Sequence, residues 1–249
     1  MTYRNGDWAL FDADDTLIGL EVEGRLVGTG LAYEHCIALL CKVMISLGFK
    51  ENQIRKTQFE IDRARCNREG FSRLRRFPIS FRDTYRVLMK EAGRQPDPKT
   101  AEEIENLGWR VFYFKARPLP GAIPVLEKVA KHYNVAIITK GNNAHQVDKL
   151  RVASCLRFAR KVVAMRTKDY EEWERKLTSR VGVPVERRHT SWVIGDSIKS
   201  DINPALRLGF NAIHIPAENW AFETAHYIKA STKLMVVKNI KEVLEHLPL

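Results

Sequence analysis

The sequence predicts an α/β fold: a mostly parallel sheet with helices on both faces, plus an inserted all-helical subdomain. Three observations predict it. From Gly121 onward, short apolar runs alternate with helix-period segments, the rhythm of parallel βαβ units. The interval from about 20 to 117 breaks that rhythm, with almost no β-branched alternation and several helix-period segments. A chain of 249 residues is long enough to bury one core and an inserted subdomain. The expected division is a core of 1–19 and 118–249 with a helical cap of 20–117.

The elements follow in order. Trp8-Ala-Leu-Phe11 opens a strand over 8–12. Inside the insert, Ala32 to Leu47 is apolar on one face and stops at Gly48. Ser80 with Asp83 marks the start of a helix ending at Gly93, and Thr100 with Glu103 forms a capping box for another. Gly93 to Pro98 reads as a loop, and Pro118 with Pro120-Gly121 as the return to the core. Further strands are expected at 134–139, 161–165, 191–195, 211–215 and, more weakly, 234–237. Helix starts lie between them: Asp169 with Glu172, Asn203-Pro204 with Gly209 behind, and Asn239 with Glu242. No internal repeat or low-complexity tract interrupts the chain.

Composition narrows the class. With 45% hydrophobic and 29% charged residues the chain has an ordinary globular composition. No run approaches the ~18 apolar residues of a membrane span, and Arg4, Asn5, Gly6 and Asp7 precede a short strand, so no membrane segment or secretory signal is expected. A cytoplasmic location is the corresponding expectation. Cys36, Cys41, Cys66 and Cys155 show no C-x-x-C spacing and read as reduced core residues, and the histidines are scattered singly, against a structural zinc. The net charge of +11 favours anionic partners without distinguishing metabolites from nucleic acid.

The chemistry starts at Asp12-Ala13-Asp14-Asp15-Thr16, placed at the end of the first apolar run. Two carboxylates two residues apart at the carboxyl end of a buried strand are expensive to hold there unless a cation or reacting group uses them. Three further segments join them, each after a strand-like run: Val135 to Thr139, Lys168 beyond Lys161 to Met165, and Trp192-Val-Ile-Gly195-Asp196-Ser197 with Asp201 five residues past Asp196. This ordered set resembles the four-motif signature of the haloacid dehalogenase (HAD) superfamily, over roughly 7 to 17 and 118 to 216. Asp201 to Gly209, with Trp220 and Glu223 later, is similar to the phosphatase-like branch with a helical cap.

The resemblance implies a Rossmann-like core with a central first strand, and a Mg²⁺-dependent phosphomonoester hydrolase working through an aspartyl-phosphate. By that resemblance Asp12 is nucleophile and Mg²⁺ ligand, Asp14 gives its backbone carbonyl to the metal and acts as general acid and base, and Asp196 is a second carboxylate ligand. Asp201 belongs to the same cluster, ligating through water or orienting Lys168. Thr139, Lys140, Gly141 and Asn142 are expected to hold the substrate phosphate, with Lys168 offsetting its charge. An all-oxygen ligand set suits Mg²⁺, and cations at the site are what allow a carboxylate to approach a phosphate ester.

Each residue alone has a plainer reading. Thr139 could simply finish a strand, and Lys168 could be a solvated lysine before a helix; their positions after successive core strands decide for the site. Lys161 starts a strand and is a poorer candidate than Lys168. Asp169 reads as a cap. Ser197 lacks a G-x-S-x-G turn and reads as a turn residue. The second aspartate of the pair argues against carbon–halogen cleavage, since the dehalogenases of the superfamily lack it.

The insert is strongly basic between Arg55 and Arg86, with Phe71, Phe77, Phe81 and Tyr85 interleaved. Most of these aromatics are expected to pack the subdomain while the arginines solvate its outside. One or two of Arg73, Arg75 and Arg76 are expected to select a small, anionic phosphorylated metabolite or nucleotide. The alternatives are phosphoryl transfer to another acceptor, as in a mutase, and nucleic-acid binding through the basic insert, with or without an end-phosphatase activity.

Overall fold

The computed structural model describes residues 6–217 and 225–249, so Arg4, Asn5, Trp220 and Glu223 lie outside the described residues. Two compact units are present: 1–29 with 115–249, and 30–114.

The first unit is built on a six-stranded parallel sheet. Its strands are β1 (Trp8–Phe11), β5 (Asn134–Lys140), β6 (Lys161–Met165), β7 (Trp192–Gly195), β8 (Asn211–His214) and β9 (Leu234–Val236), in the order β6-β5-β1-β7-β8-β9. The first strand is thus central, between β5 and β7, in register Leu10 with Ala136 and with Val193. Trp8, Leu10, Ala136, Ile138 and Val193 pack on one face against Trp173, Leu177, Ala205 and Phe210. Their alternates Ala9, Phe11, Ile137 and Ile194 are equally buried, so the sheet is covered on both sides, as a parallel sheet requires. The six expected strands are all present at these positions, including the weak one at the edge.

The boundary of the insert lies elsewhere than expected. Residues 20–29 and 115–117 belong with the core because β2 (Ile18–Val22), β3 (Arg25–Val27) and β4 (Lys115–Pro118) pair antiparallel as a small second sheet, order β3-β2-β4. Ile18 pairs with Pro118 and Leu20 with Val27. Such a short ribbon carries too little alternation to register as strand in sequence.

The second unit is helical: α1 (Thr29–Ser46, beginning one residue before it), α2 (Glu51–Glu69), α3 (Arg76–Glu91) and α4 (Pro98–Trp109). Phe77, Phe81 and Tyr85 are buried on α3, and Tyr33 and Phe77 meet edge to face at 4.7 Å. Those aromatics are therefore core. Gly108 permits the contact of α4 with α3, since a Cβ there would lie 2.7 Å from Pro78 Cα. Two helix starts differ from expectation. Ser80 sits inside α3, its hydroxyl donating back to the Phe77 carbonyl at 2.7 Å. Asp97 and not Thr100 caps α4, accepting from the Thr100 amide and hydroxyl at 2.7 Å each, with Pro98 in the first turn.

The remaining helices are α5 (Ala122–Val129), α6 (Asn143–Val152), α7 (Tyr170–Lys176), α8 (Asn203–Arg207) and α9 (Val243–His246). Asp169 caps α7 as expected, accepting from the Glu172 amide at 2.9 Å. Asn203 does not cap α8, because a π-turn over Ile198–Ile202 runs straight into it. Its side chain instead accepts from the Ile228 amide and donates to the His226 carbonyl. All four cysteines are free; Cys36, Cys41 and Cys155 are buried and Cys66 is partly so. Among the described residues no helix is long and apolar enough to cross a membrane.

Candidate active site

The carboxyl ends of β1, β5, β6 and β7 present the predicted residues in turn. Asp12 follows β1 directly, and its amide donates to the Ile194 carbonyl at 2.8 Å, extending the ladder with β7 by one residue. Asp196 follows β7. Asp201 is returned to the same place by the Ile198–Ile202 turn, which Ser197 caps: its hydroxyl accepts from the Ser200 amide at 3.1 Å, and its own amide donates to Asp201 Oδ2 at 3.1 Å. A side chain on Gly195 would block this, since a Cβ would stand 2.6 Å from Asp201 Cγ. Asp12, Asp196 and Asp201 thereby bring one carboxylate oxygen each within 4.8 Å of one another, all buried.

Lys168 reaches this cluster from beyond β6. Its ammonium pairs with both Asp12 and Asp201 and is 2% exposed. It occupies a left-handed backbone conformation, φ 59°, a strained setting for a residue with a Cβ. Glu172, in the first turn of α7, offsets the strain by accepting from the amides of Arg166 (3.0 Å), Thr167 (2.7 Å) and Lys168 (3.2 Å). The loop that aims the lysine is thus anchored from behind.

Three carboxylates against one ammonium leave a buried excess of negative charge. Burial drives the Asp12 carboxyl up to about 7; Lys168 opposes this, while Asp201 and Asp14 add to it. Burial also holds Asp196 well above the usual carboxylate range, reinforced by Asp12, Asp201 and Asp15. Burial lowers the Lys168 ammonium's preference for its proton, but Asp12 and Asp201 outweigh that and hold it charged. A cluster of clustered oxygen donors with two such strained carboxyls fits a hard divalent cation, with Asp12, Asp196 and Asp201 as the residues that would surround it.

Asp14 stands apart from the cluster. It accepts from Thr29 Oγ1 at 3.0 Å and Gln146 Nε2 at 2.9 Å, and it pairs with the Lys149 ammonium. Burial would raise its pKa, but Lys149, Gln146 and Thr29 outweigh burial and hold it below the ordinary value. Neither Gln146 nor Lys149 announces itself in sequence: they lie on a helix beyond the motif, with no signal but their i, i+3 spacing.

Thr139, next to last in β5, is almost fully buried. Beyond it, the Gly141 amide donates to the Met165 carbonyl at 2.9 Å and so is already engaged, contrary to the expectation that it would serve a phosphate. The Lys140 carbonyl accepts from Gln146, and Asn142 caps α6 by accepting from the His145 amide at 3.1 Å. Another unforeseen contact supports Asp196. Buried His214 on β8 bonds the Asp196 carbonyl through Nε2 at 2.8 Å and the Tyr227 hydroxyl through Nδ1 at 2.6 Å.

In the helical unit Arg76 is buried, pairs with Asp62 and covers the Phe71 ring at 5.1 Å. Its charge is used inside that unit. Arg73 and Arg75 are exposed, Arg75 lying 3.8 Å from Glu105.

No protein-family model and no curated protein matches the chain. Solved structures do. A haloacid dehalogenase-like hydrolase of Xanthomonas campestris is 18% identical with a TM-score of 0.71, over 97% of this chain and 95% of that one. The HAD-hydrolase YfnB of Bacillus subtilis, bound to magnesium, is 17% identical with a TM-score of 0.61, over 99% and 100%. A 2-haloacid dehalogenase of Pseudomonas syringae is 17% identical with a TM-score of 0.56, over 96% of each chain. At these identities the likeness establishes the architecture.

Proposed function

We propose that this chain, built on the haloacid dehalogenase-like fold, is a Mg²⁺-dependent phosphomonoester hydrolase of that superfamily that works through an aspartyl-phosphate on a small, anionic phosphorylated metabolite or nucleotide. The observation that carries the reading is the buried cluster of Asp12, Asp196 and Asp201 around Lys168, with Asp14 two residues beyond the nucleophile. The magnesium of the Bacillus subtilis structure agrees with it.

Mg²⁺ at Asp12, Asp196, Asp201 and the Asp14 carbonyl would supply positive charge that lets a phosphate dianion approach a carboxylate. The chain's own residues account for the rest. A carboxylate oxygen of Asp12 forms a bond to phosphorus as the ester oxygen leaves, and that oxygen takes a proton that the Asp14 carboxyl, ionised at rest under its three donors, first collects from solvent. Asp14, now ionised, removes a proton from the water that attacks phosphorus, which frees phosphate and restores the Asp12 carboxylate. Lys168 holds Asp12 in place and balances its charge. Thr139 donates its hydroxyl to a phosphate oxygen, and the net charge of +11 favours an anionic substrate.

A carbon–halogen bond needs no proton on its leaving halide, so the acid/base carboxyl at Asp14 favours the phosphate ester over dehalogenation. The test is turnover of p-nitrophenyl phosphate with and without Mg²⁺, for wild type and Asp12→Asn, followed by a panel of phosphorylated metabolites. Mg²⁺-dependent release of phosphate, abolished in Asp12→Asn, is expected. Transfer to a second metabolite without free phosphate would make the protein a mutase. Tight, steeply salt-dependent binding of nucleic acid without hydrolysis would overturn the enzymatic reading.

A further inference from the structure

The environment of Asp14 contains more machinery than a surface carboxylate needs. Gln146 and Lys149 lie three residues apart on one face of α6, and both are more than nine-tenths buried. Gln146 Nε2 donates to Asp14 Oδ2 at 2.9 Å and to the Lys140 carbonyl at 2.8 Å. Both of its amide hydrogens are therefore committed, and the amide can face Asp14 in one orientation only. Thr29 Oγ1 donates to Asp14 Oδ1 at 3.0 Å, the same oxygen that meets the Lys149 ammonium. Asp14 is gripped on both oxygens by three donors drawn from two distant stretches of sequence.

A buried Lys–Asp pair is poor construction for stability alone, because desolvating two charges cancels most of their attraction and an apolar pair of similar size does as well or better. Its value lies in geometry: a carboxylate fixed at both oxygens cannot swing about its own side-chain bonds.

We propose that Lys149 and Gln146 are positioning residues that hold the Asp14 carboxyl in line with the leaving-group oxygen. This rests on the phosphohydrolase reading above. Lys149 anchors Oδ1 with Thr29 and Gln146 anchors Oδ2, so that Asp14, ionised at rest under these donors, collects a proton and passes it to the leaving oxygen from one fixed place. General acid catalysis matters most when the leaving oxygen is strongly basic, and least when it departs readily as an anion. Positioning of Asp14 is therefore felt on alkyl phosphates and much less on p-nitrophenyl phosphate.

The experiment compares wild type, Lys149→Met, Lys149→Arg, Gln146→Met, Asp14→Asn and the double variant Asp14→Asn/Lys149→Met. Each is assayed with Mg²⁺ on p-nitrophenyl phosphate, phenyl phosphate and a simple alkyl phosphate. Lys149→Met is expected to lose on the order of 100-fold in kcat on the alkyl ester and under about tenfold on p-nitrophenyl phosphate, with little change in KM. Lys149→Arg recovers part of the alkyl-ester rate, and Gln146→Met repeats the pattern more weakly. In the Asp14→Asn background, Lys149→Met costs little further, because the group it positions is gone. An equal loss on all three esters, or a full additional loss on top of Asp14→Asn, assigns Lys149 to the frame and overturns the inference. If Lys149→Met does not fold, Gln146→Met carries the same comparison. A wild type inert towards every ester overturns the functional reading and this inference together; an active wild type with uniform losses overturns the inference alone.

Discussion

The residue with the least atoms constrains the site most tightly. Gly195 ends β7 with Asp201 pressed against its Cα, where a methyl group would stand 2.6 Å from Cγ and 2.7 Å from Oδ2. Gly195→Ala must displace Asp201 and, through it, Lys168. A misplacement of about 1 Å at a catalytic centre can cost on the order of 100-fold in rate, and steady-state kinetics beside a thermal melt should show kcat falling by at least about tenfold in a protein that still folds. Asp12 makes a second prediction. Its folded pKa of about 7 lies above the ordinary carboxylate value of 3.8, chiefly through burial. The metal-free chain therefore holds a proton there between those values, and the stability this confers is present at the acid end and fades as pH rises through about 7. A divalent cation must displace that proton. Mg²⁺ affinity should accordingly rise from pH 5.5 to 7.5 and then level, with proton release at pH 6 visible when titration calorimetry is repeated in buffers of different ionisation enthalpy; a pH-independent affinity would contradict the assignment of Asp12 as a ligand.

At the scale of elements, the loop from β6 to α7 depends on Glu172. Three amides converge on its carboxylate and keep Lys168 in a left-handed turn. Removing the acceptor in Glu172→Ala should destabilise the protein by roughly 1–3 kcal/mol, read as a lower urea midpoint at unchanged slope, and reduce turnover further than the stability loss explains. The core strands were legible in sequence because each is a compact apolar run, as Trp8–Phe11 before Asp12 and Trp192–Gly195 before Asp196. Lys168 stands three residues beyond β6, and its nearness to Asp12 followed from that strand's place in the sheet. The β2–β3–β4 ribbon was not legible, since strands of three to five residues in a polar setting leave no period to detect. Nor were Ser80 and Thr100 correctly read, because a hydroxyl that returns to its own helix, or that sits at the third position behind Asp97, has the same sequence signature as a cap. Gln146, Lys149 and His214 stayed hidden since their roles are contacts across 132, 135 and 18 residues of chain, which no local pattern records.

Taken as a whole, the molecule concentrates opposed charge. A net +11 chain holds a buried cluster of three carboxylates, two of which pair with one lysine, so a divalent cation that binds only the folded state adds to stability by mass action. At a hundred times its dissociation constant that amounts to ~2.7 kcal/mol, or about 5–10 °C in Tm for a chain of this size. Differential scanning fluorimetry with Mg²⁺ and then with EDTA should show the rise and its reversal, and Asp196→Asn should abolish it. The central place of β1 has a different consequence, one for biosynthesis. Trp8–Phe11 pairs with strands that lie more than a hundred residues further along the chain, and the Trp8 amide donates to Ser191 Oγ across 183 residues. A nascent polypeptide halted before Trp192 leaves β1 with one edge bare, and long-range pairing of this kind is slow and exposed to aggregation. Synthesis past Asp201 therefore precedes any assembly of the acidic cluster, and products truncated before it should need chaperones rather than show partial activity.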